Sequence, residues 1–208
     1  MPLDGGATVL DLGAGTGKLT LVLAGRYAHV VAVEPLDELR AVLAERVREA
    51  DVRAGAAESI PLGDASVDAV FAAQAFHWFA NDTAVGEIAR VLRPGGVLAL
   101  LWNVRNGTPS VPAAYNERIE ALHDAGRPEP PDEDLLERFP FGERCQEAVE
   151  HEQVIARDDV LALAASASWI AMRDDRGEIL AELGDLLPPG EYVFPWRCEL
   201  TWMTRFSD

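Results

Sequence analysis

Basic residues are scarce in this chain. Eighteen Lys and Arg stand against 35 Asp and Glu, for a formal net charge of −17 and a sequence pI near 4.5. No run of Lys or Arg interrupts the acidic pattern, so a nucleic-acid backbone and an anionic membrane surface would both be repelled. Neither is expected as a partner. Cysteine is nearly as scarce: Cys145 and Cys198 are the two, with no CxxC pair and no His at ligand spacing. They read as ordinary reduced thiols, and no metal site is expected. Long apolar runs are missing too. Nowhere do roughly 18 uninterrupted apolar residues occur, as a membrane-spanning helix would need. The start MPLDGGATVL lacks the basic stretch followed by an apolar core that marks a secretory leader. The expectation is a soluble, cytoplasmic protein.

What is present suits one globular domain: 208 residues, 49% hydrophobic and 25% charged, enough for a sizeable core. Over the first hundred residues, short β-branched runs alternate with helical stretches, the pattern of a parallel sheet with crossover helices. ATVLDL, HVVAV, DVRAG, VDAVFAA and GVLALLW read as five strands. Helices are expected over Lys18–Tyr27, over Pro35–Ala50, and over Thr83–Leu92, the last capped by Thr83 and ended by Pro94-Gly95-Gly96. In the second helix Leu36, Leu39, Val42, Leu43 and Val47 are read as a face packed on the sheet. Continuous apolar character in the fourth and fifth strands points to burial on both faces. Beyond residue 103 the pattern weakens: a helix in TPSVPAAYNERIEALHDAG, a Pro-rich acidic loop in GRPEPPDEDLLERFP, then strands RCQEAVEHEQVIA and YVFPWRCELTWMTR enclosing helices near Asp159–Ala165 and Glu178–Leu187. The fold expected is α/β, a Rossmann-like, doubly wound, mostly parallel sheet with a C-terminal antiparallel strand pair.

The segment VLDLGAGTGKLT sets Gly13, Gly15 and Gly17 between the first strand and the first helix. Glycines there allow a tight turn and close approach of a ligand, while free N–H groups at the helix start attract an anionic or polar group. A dinucleotide fingerprint would place its third glycine one position later, where Lys18 stands, and a phosphate-binding P-loop needs wider spacing and Ser or Thr after Gly-Lys rather than Leu19. Asp11-Leu12-Gly13-Ala14-Gly15-Thr16-Gly17 resembles the first motif of the class I S-adenosylmethionine-dependent methyltransferases.

Later segments fit the same resemblance in order. Glu34 ends the second strand, where a carboxylate can accept both hydroxyls of a ribose; the plainer reading is a solvated glutamate at a helix start. GAAESIPL is similar to the segment that lines the adenine, with Ala57 and Glu58 as counterparts; Ala56 stands where many relatives have Asp. AAQAFHWFA follows the fourth strand, at the sheet edge where α/β folds collect ligands. By resemblance, Gln74 lies against the methionine part of the cofactor and His77 and Trp78 on the substrate side. IARVLRPGGVLALLWN is similar to the family's late structural motif. AQAFHW and ALLWN together look like the small-molecule branch that includes trans-aconitate methyltransferase.

The resemblance implies a single methyltransferase domain over 1–208, with a cofactor-binding half at 1–103 and a substrate-side half at 104–208. Asp11, Gly13, Gly15, Thr16, Gly17, Glu34, Ala57, Glu58 and Gln74 would hold S-adenosylmethionine, and His77 would polarise or deprotonate a small-molecule acceptor unless it is a hydrogen-bonded structural histidine. The sulfonium methyl is already activated, so positioning and exclusion of water are the main tasks. Relatives usually carry a helical segment ahead of the first strand that covers the cofactor; here strand one begins by about residue 8. Either the chain is a shortened form or another element, such as Tyr115–Ala165, covers the site. Trp169, Tyr192, Phe194, Trp196 and Trp202 read as core packing before pocket lining. Two other functions stay open: a non-catalytic or truncated S-adenosylmethionine-binding protein, and an NAD-dependent oxidoreductase, which the glycine spacing opposes. The oligomeric state is left open.

Overall fold

The computed structural model describes residues 3–125, 134–171 and 173–206. Its elements run β1 (Thr8–Leu12), α1 (Lys18–Ala24), β2 (His29–Val33), α2 (Asp37–Arg46), β3 (Asp51–Arg53), β4 (Val67–Ala73), α3 (Asp82–Val91), β5 (Leu92–Arg105), α4 (Ala113–Ala125), β6 (Cys145–Ala156), α5 (Arg157–Ser166), α6 (Ser168–Ala171), α7 (Arg176–Asp185) and β7 (Glu191–Thr204). The strands form one seven-stranded sheet in the order β3-β2-β1-β4-β5-β7-β6. Strands β1 to β5 pair in parallel and the C-terminal pair is antiparallel. This is the Rossmann-like α/β fold expected.

Period-2 alternation explains how the sheet is covered on both faces. Leu10, Leu12, Val70, Ala72, Leu98 and Leu100 enter one apolar cluster together with Ala84, Val85 and Ile88 of α3. Their neighbours in sequence, Val9, Ala69, Phe71, Val97 and Ala99, enter a second cluster with Leu23 and Tyr27. Each central strand therefore buries both sets of side chains, and no polar face is left for its sequence to show.

The chain divides into two compact units. The first comprises Met1–Trp102, Pro130–Ala148 and Glu199–Asp208, and the second Asn103–Glu129 and Val149–Cys198. The second has its own core, in which Tyr115, Ile119 and Leu122 of α4 meet Val160, Ile170, Ile179, Leu183 and Phe194. Trp169 and Trp196 pack against that core and Trp202 against the first unit's second cluster, in keeping with the packing role expected of these aromatics.

Several local expectations are corrected. Helix α2 starts at Asp37, so Leu36 lies outside it and is exposed, as is Val42; only Leu43 and Val47 of the expected face are buried. Adjacent residues on a helix diverge by about 100°, so Val42 and Leu43 cannot share one narrow face. Asn81, not Thr83, caps α3: its side-chain oxygen accepts the Ala84 N–H at 3.0 Å. Pro94-Gly95-Gly96 does not end that helix, which stops at Val91; it forms an irregularity inside β5, where Leu92 pairs with Val67 and Val97 with Ala69. Much of the Pro-rich acidic loop, residues 126–133, lies outside the described residues, while Leu135–Arg138 forms a short 3-10 turn.

Candidate functional site

Strands β1 and β2 pair in register from Thr8 with His29 to Leu12 with Val33, so the two strands leave the sheet side by side. The Gly13 and Ala14 N–H groups both donate to the Val33 carbonyl, at 2.9 and 3.1 Å. That pairing ties the glycine loop to the end of β2, where Glu34 follows. Glu34 is 4% exposed. One of its carboxylate oxygens accepts the Gly15 N–H at 2.9 Å and the other the Leu36 N–H at 3.0 Å. Each oxygen keeps a further lone pair. Arg40 donates to the Glu34 carbonyl at 3.0 Å and Arg46 to the Thr16 carbonyl at 3.4 Å, so α2 braces both sides of the turn.

The three glycines share positive φ, of 71°, 56° and 79°, yet they do different work. A Cβ on Gly13 would lie 2.9 Å from the Ala75 Cβ, and one on Gly17 would lie 2.5 Å from the Leu43 Cδ1. Those two positions let the β4 edge and α2 pack against the loop. A Cβ on Gly15 would meet nothing within 4 Å. Gly15 is therefore the glycine that faces open space, beside the Glu34 carboxylate.

Asp11 sits beneath the loop. It is 1% exposed and accepts the hydroxyl proton of the fully buried Thr20 at 2.6 Å. Burial pushes its carboxyl up to about 6 against the stabilising Thr20 bonds, with the charge of Glu34 adding to the rise. Its side chain anchors the first turn of α1 to the end of β1 and supports the loop from below; it does not line an open surface.

Beyond β3, Ala57 is buried and Glu58 exposed, in a turn closed by the Ala56–Ser59 bridge. Asn81 donates its amide to Glu58 at 2.9 Å. At the end of β4, Gln74 adopts φ of 54°, rare outside glycine, while its N–H donates to the Leu101 carbonyl at 3.0 Å. This left-handed turn swings the chain into the short 3-10 helix Phe76–Trp78. Within it His77 is half-buried between the rings of Trp78 and Trp102, with centroids 5.0 and 5.4 Å away. Burial holds the imidazole below its usual range, which favours its neutral form. Trp78 is 56% exposed.

The candidate cofactor and acceptor residues, from Asp11 to Trp78, therefore fall at the C-terminal edge of β1 to β4 or just after it. Gly15 and Glu34 are in direct contact, and Gly13 adjoins Ala75. Three supporting residues escape sequence reasoning: Thr20 under Asp11, Asn81 holding both α3 and Glu58, and Trp102 against His77. Asn81 is the legible one, since Asn two residues before Thr83 is as good a cap. Two concave spaces lie elsewhere, one of about 590 Å³ around Arg157 and Pro189 and one of about 300 Å³ around Asp4 and Asp68; neither includes a residue of this edge. Among the described residues, no group of three or more His, Cys, Asp or Glu could hold a metal ion. No helix there is long and apolar enough to cross a membrane.

The fold and this edge have counterparts among known proteins. Residues 10–100 match the family model described as a methyltransferase domain. An uncharacterized methyltransferase of Mycobacterium tuberculosis is 55% identical over 98 residues, 47% of this chain and 40% of that protein. The chain thus spans about two fifths of that relative's length. Malonyl-[acyl-carrier protein] O-methyltransferase of Pectobacterium atrosepticum is 27% identical over 222 residues, covering 100% of this chain and 85% of that one. Among solved structures, a protein provisionally assigned as a type II methyltransferase from Anaeromyxobacter dehalogenans superposes with a TM-score of 0.69 at 27% identity, covering 97% of this chain and 91% of that chain. These matches say what the chain is similar to: methyltransferase domains, over the part of it that carries the glycine loop and Glu34.

Proposed function

We propose that the chain binds S-adenosylmethionine at the edge formed by the glycine loop and Glu34 and transfers its methyl group to a small-molecule acceptor. The observation that carries this reading is the Glu34 carboxylate held 2.9 Å from the Gly15 N–H, at the one loop glycine whose Cβ would meet open space. A buried carboxylate with free lone pairs suits vicinal hydroxyls, and the open face of Gly15 lets a ligand approach the backbone. The residues present thus fit the cofactor. Glu34 would hold its ribose, the Gly13–Gly17 loop its methionine end together with Gln74, and Ala57 and Glu58 its base, with Asp11 and Thr16 shaping the loop.

When bound, that cofactor supplies an activated methyl group. The protein's part is to orient an acceptor in line and exclude water. His77, set between two indoles, would take a proton from the acceptor as it is methylated. Two observations support a small molecule: the charge of −17, which disfavours nucleic acid, and the relative that spans this whole chain and is named malonyl-[acyl-carrier protein] O-methyltransferase. The trans-aconitate-like branch, a 1–103 cofactor-binding half, a 104–208 substrate-side half and a cytoplasmic location belong to the same reading. The last is supported by two free cysteines.

Isothermal titration with S-adenosylmethionine and S-adenosylhomocysteine, beside NAD, tests the reading. Both sulfur ligands are expected to bind, and Glu34→Ala to weaken them at least about tenfold, the cost of lost charge-assisted bonds. Binding of NAD alone, or an unaffected Glu34→Ala, would sink it. Binding without methylation of any acceptor in a broad screen would instead favour the non-catalytic form.

A further inference from the structure

The second unit holds a cationic site that the methyl-transfer reading does not use. Arg105, at the end of β5, extends over the Phe194 ring, its guanidinium carbon 5.9 Å from the centroid. Phe194 stacks in turn on Trp196 at 6.1 Å and 19°. Arg105 remains exposed and gives one hydrogen bond among the described residues, from Nη1 to the side-chain oxygen of Asn116 at 3.1 Å. The Nε and Nη2 edge of the guanidinium, the fork that matches a carboxylate, has no partner among those residues.

Three features beside this fork favour a negative ligand. Asn116 belongs to the first turns of α4, a 13-residue helix whose first intrahelical bond runs from the Asn116 N–H to the Pro112 carbonyl. The preceding N–H groups are the unpaired donors of a helix N-terminus, which carries partial positive charge. Tyr115 is 2% exposed, and its hydroxyl interacts electrostatically with Arg105. Burial pushes that hydroxyl up to about 12, so it stays a donor. The Trp196 Nε1 is buried without an acceptor among the described residues. In a chain of net charge −17, an arginine fork, a buried phenol and a helix start left without a carboxylate form an unbalanced donor set.

We propose that Arg105, Tyr115 and the first turn of α4 form a binding site for a small carboxylate ligand. One guanidinium and two kinds of neutral donor balance a single negative charge. A phosphate dianion would be left under-neutralised, and Glu120 stands within electrostatic range of Arg105, held off by Asn116, whose amide donates to it at 2.7 Å. The aromatic layer of Phe194 and Trp196 suits a ligand with an apolar or planar body behind its carboxylate.

Titration of the full chain with benzoate and succinate tests the site, followed by calorimetry and tryptophan fluorescence. Benzamide and inorganic phosphate are the controls. No cofactor is added, so the outcome is independent of the methyl-transfer reading. Saturable carboxylate binding is expected, at least about tenfold weaker in Arg105→Gln and severalfold weaker in Tyr115→Phe. Arg105→Lys should fail to restore it, since an ammonium cannot reproduce the fork. Tyr115→Phe keeps the buried ring, and an unchanged melting temperature separates loss of the hydroxyl from loss of packing. No saturation with either carboxylate, equal binding of benzamide, tighter binding of phosphate, or an unaffected Arg105→Gln would each overturn the proposal.

Discussion

Replacing Asp11 by Asn should make this protein more stable at neutral pH while weakening its hold on the cofactor. The carboxyl is pushed from 3.8 up to about 6 by burial, so the folded protein binds this proton more tightly than the unfolded chain does. Well below pH 3.8 both states are protonated and the group contributes nothing. As pH rises through the window from 3.8 to about 6, the unfolded chain ionises first and folding loses stability. Above that window the loss is complete and, for a rise of this size, amounts to ~3 kcal/mol. Asn is the same size, carries no charge, and its side-chain oxygen can still accept the Thr20 hydroxyl now bonded at 2.6 Å. Thermal melts of wild type and Asp11→Asn at pH 4, 5 and 7.5 measure the difference. About a fifth of the effect is expected at pH 4, about half at pH 5, and the variant melting about 6 °C or more higher at pH 7.5. A variant less stable at pH 7.5, or a gain that does not change with pH, would refute the reasoning. A residue that costs stability at working pH is a candidate for a functional role. The same variant should therefore bind S-adenosylmethionine less tightly than wild type in parallel calorimetry.

The glycine loop offers a sharper contrast. Gly17→Ala combines φ of 79° with a 2.5 Å approach to Leu43 and should lower stability by about 2 kcal/mol or more in urea titrations. Gly15→Ala meets nothing within 4 Å, so only left-handed strain of about 1 kcal/mol applies, yet its effect on cofactor affinity should be the larger of the two. Asn81→Ala removes the α3 cap and the Glu58 tether and should cost about 1 kcal/mol, recovered in large part by Asn81→Ser and less by Asn81→Asp, whose carboxylate would face Glu58. If His77 accepts the acceptor's proton, His77→Ala should lower turnover by about a hundredfold or more with cofactor affinity kept; a loss under about threefold would remove it from the mechanism.

The parts of this structure legible in the sequence are those where local chemistry and tertiary demand coincide. VLDLGAGTGKLT shows its loop because three positive-φ positions in five residues leave glycine the cheapest choice, and the paired ends of β1 and β2 then bring Glu34 to it without further information. VDAVFAA shows its strand because both its faces are buried, which no helix of that length would require. Where two local signals compete, the sequence misleads. Pro94-Gly95-Gly96 carries the marks of a helix stop, yet α3 ends ahead of it, and the same residues form an irregularity in β5 whose partner strand, β4, lies far back in the chain. Asn81, Asp82 and Thr83 are three good caps in a row, and which one serves depends on how α3 lies against the sheet. Contacts set only by the fold are invisible in advance: Thr20 of α1 reaching Asp11 of β1, Trp102 of β5 reaching His77 of the β4 edge, and Leu43 filling the space that Gly17 leaves. The glycines show this most clearly. From sequence the three look interchangeable, and the family resemblance assigns all of them to the cofactor. Their surroundings divide them into two that admit neighbouring structure and one, Gly15, that faces outward beside the buried Glu34 carboxylate at the loop's rim, so the binding function proposed for the loop narrows to a single position and its partner.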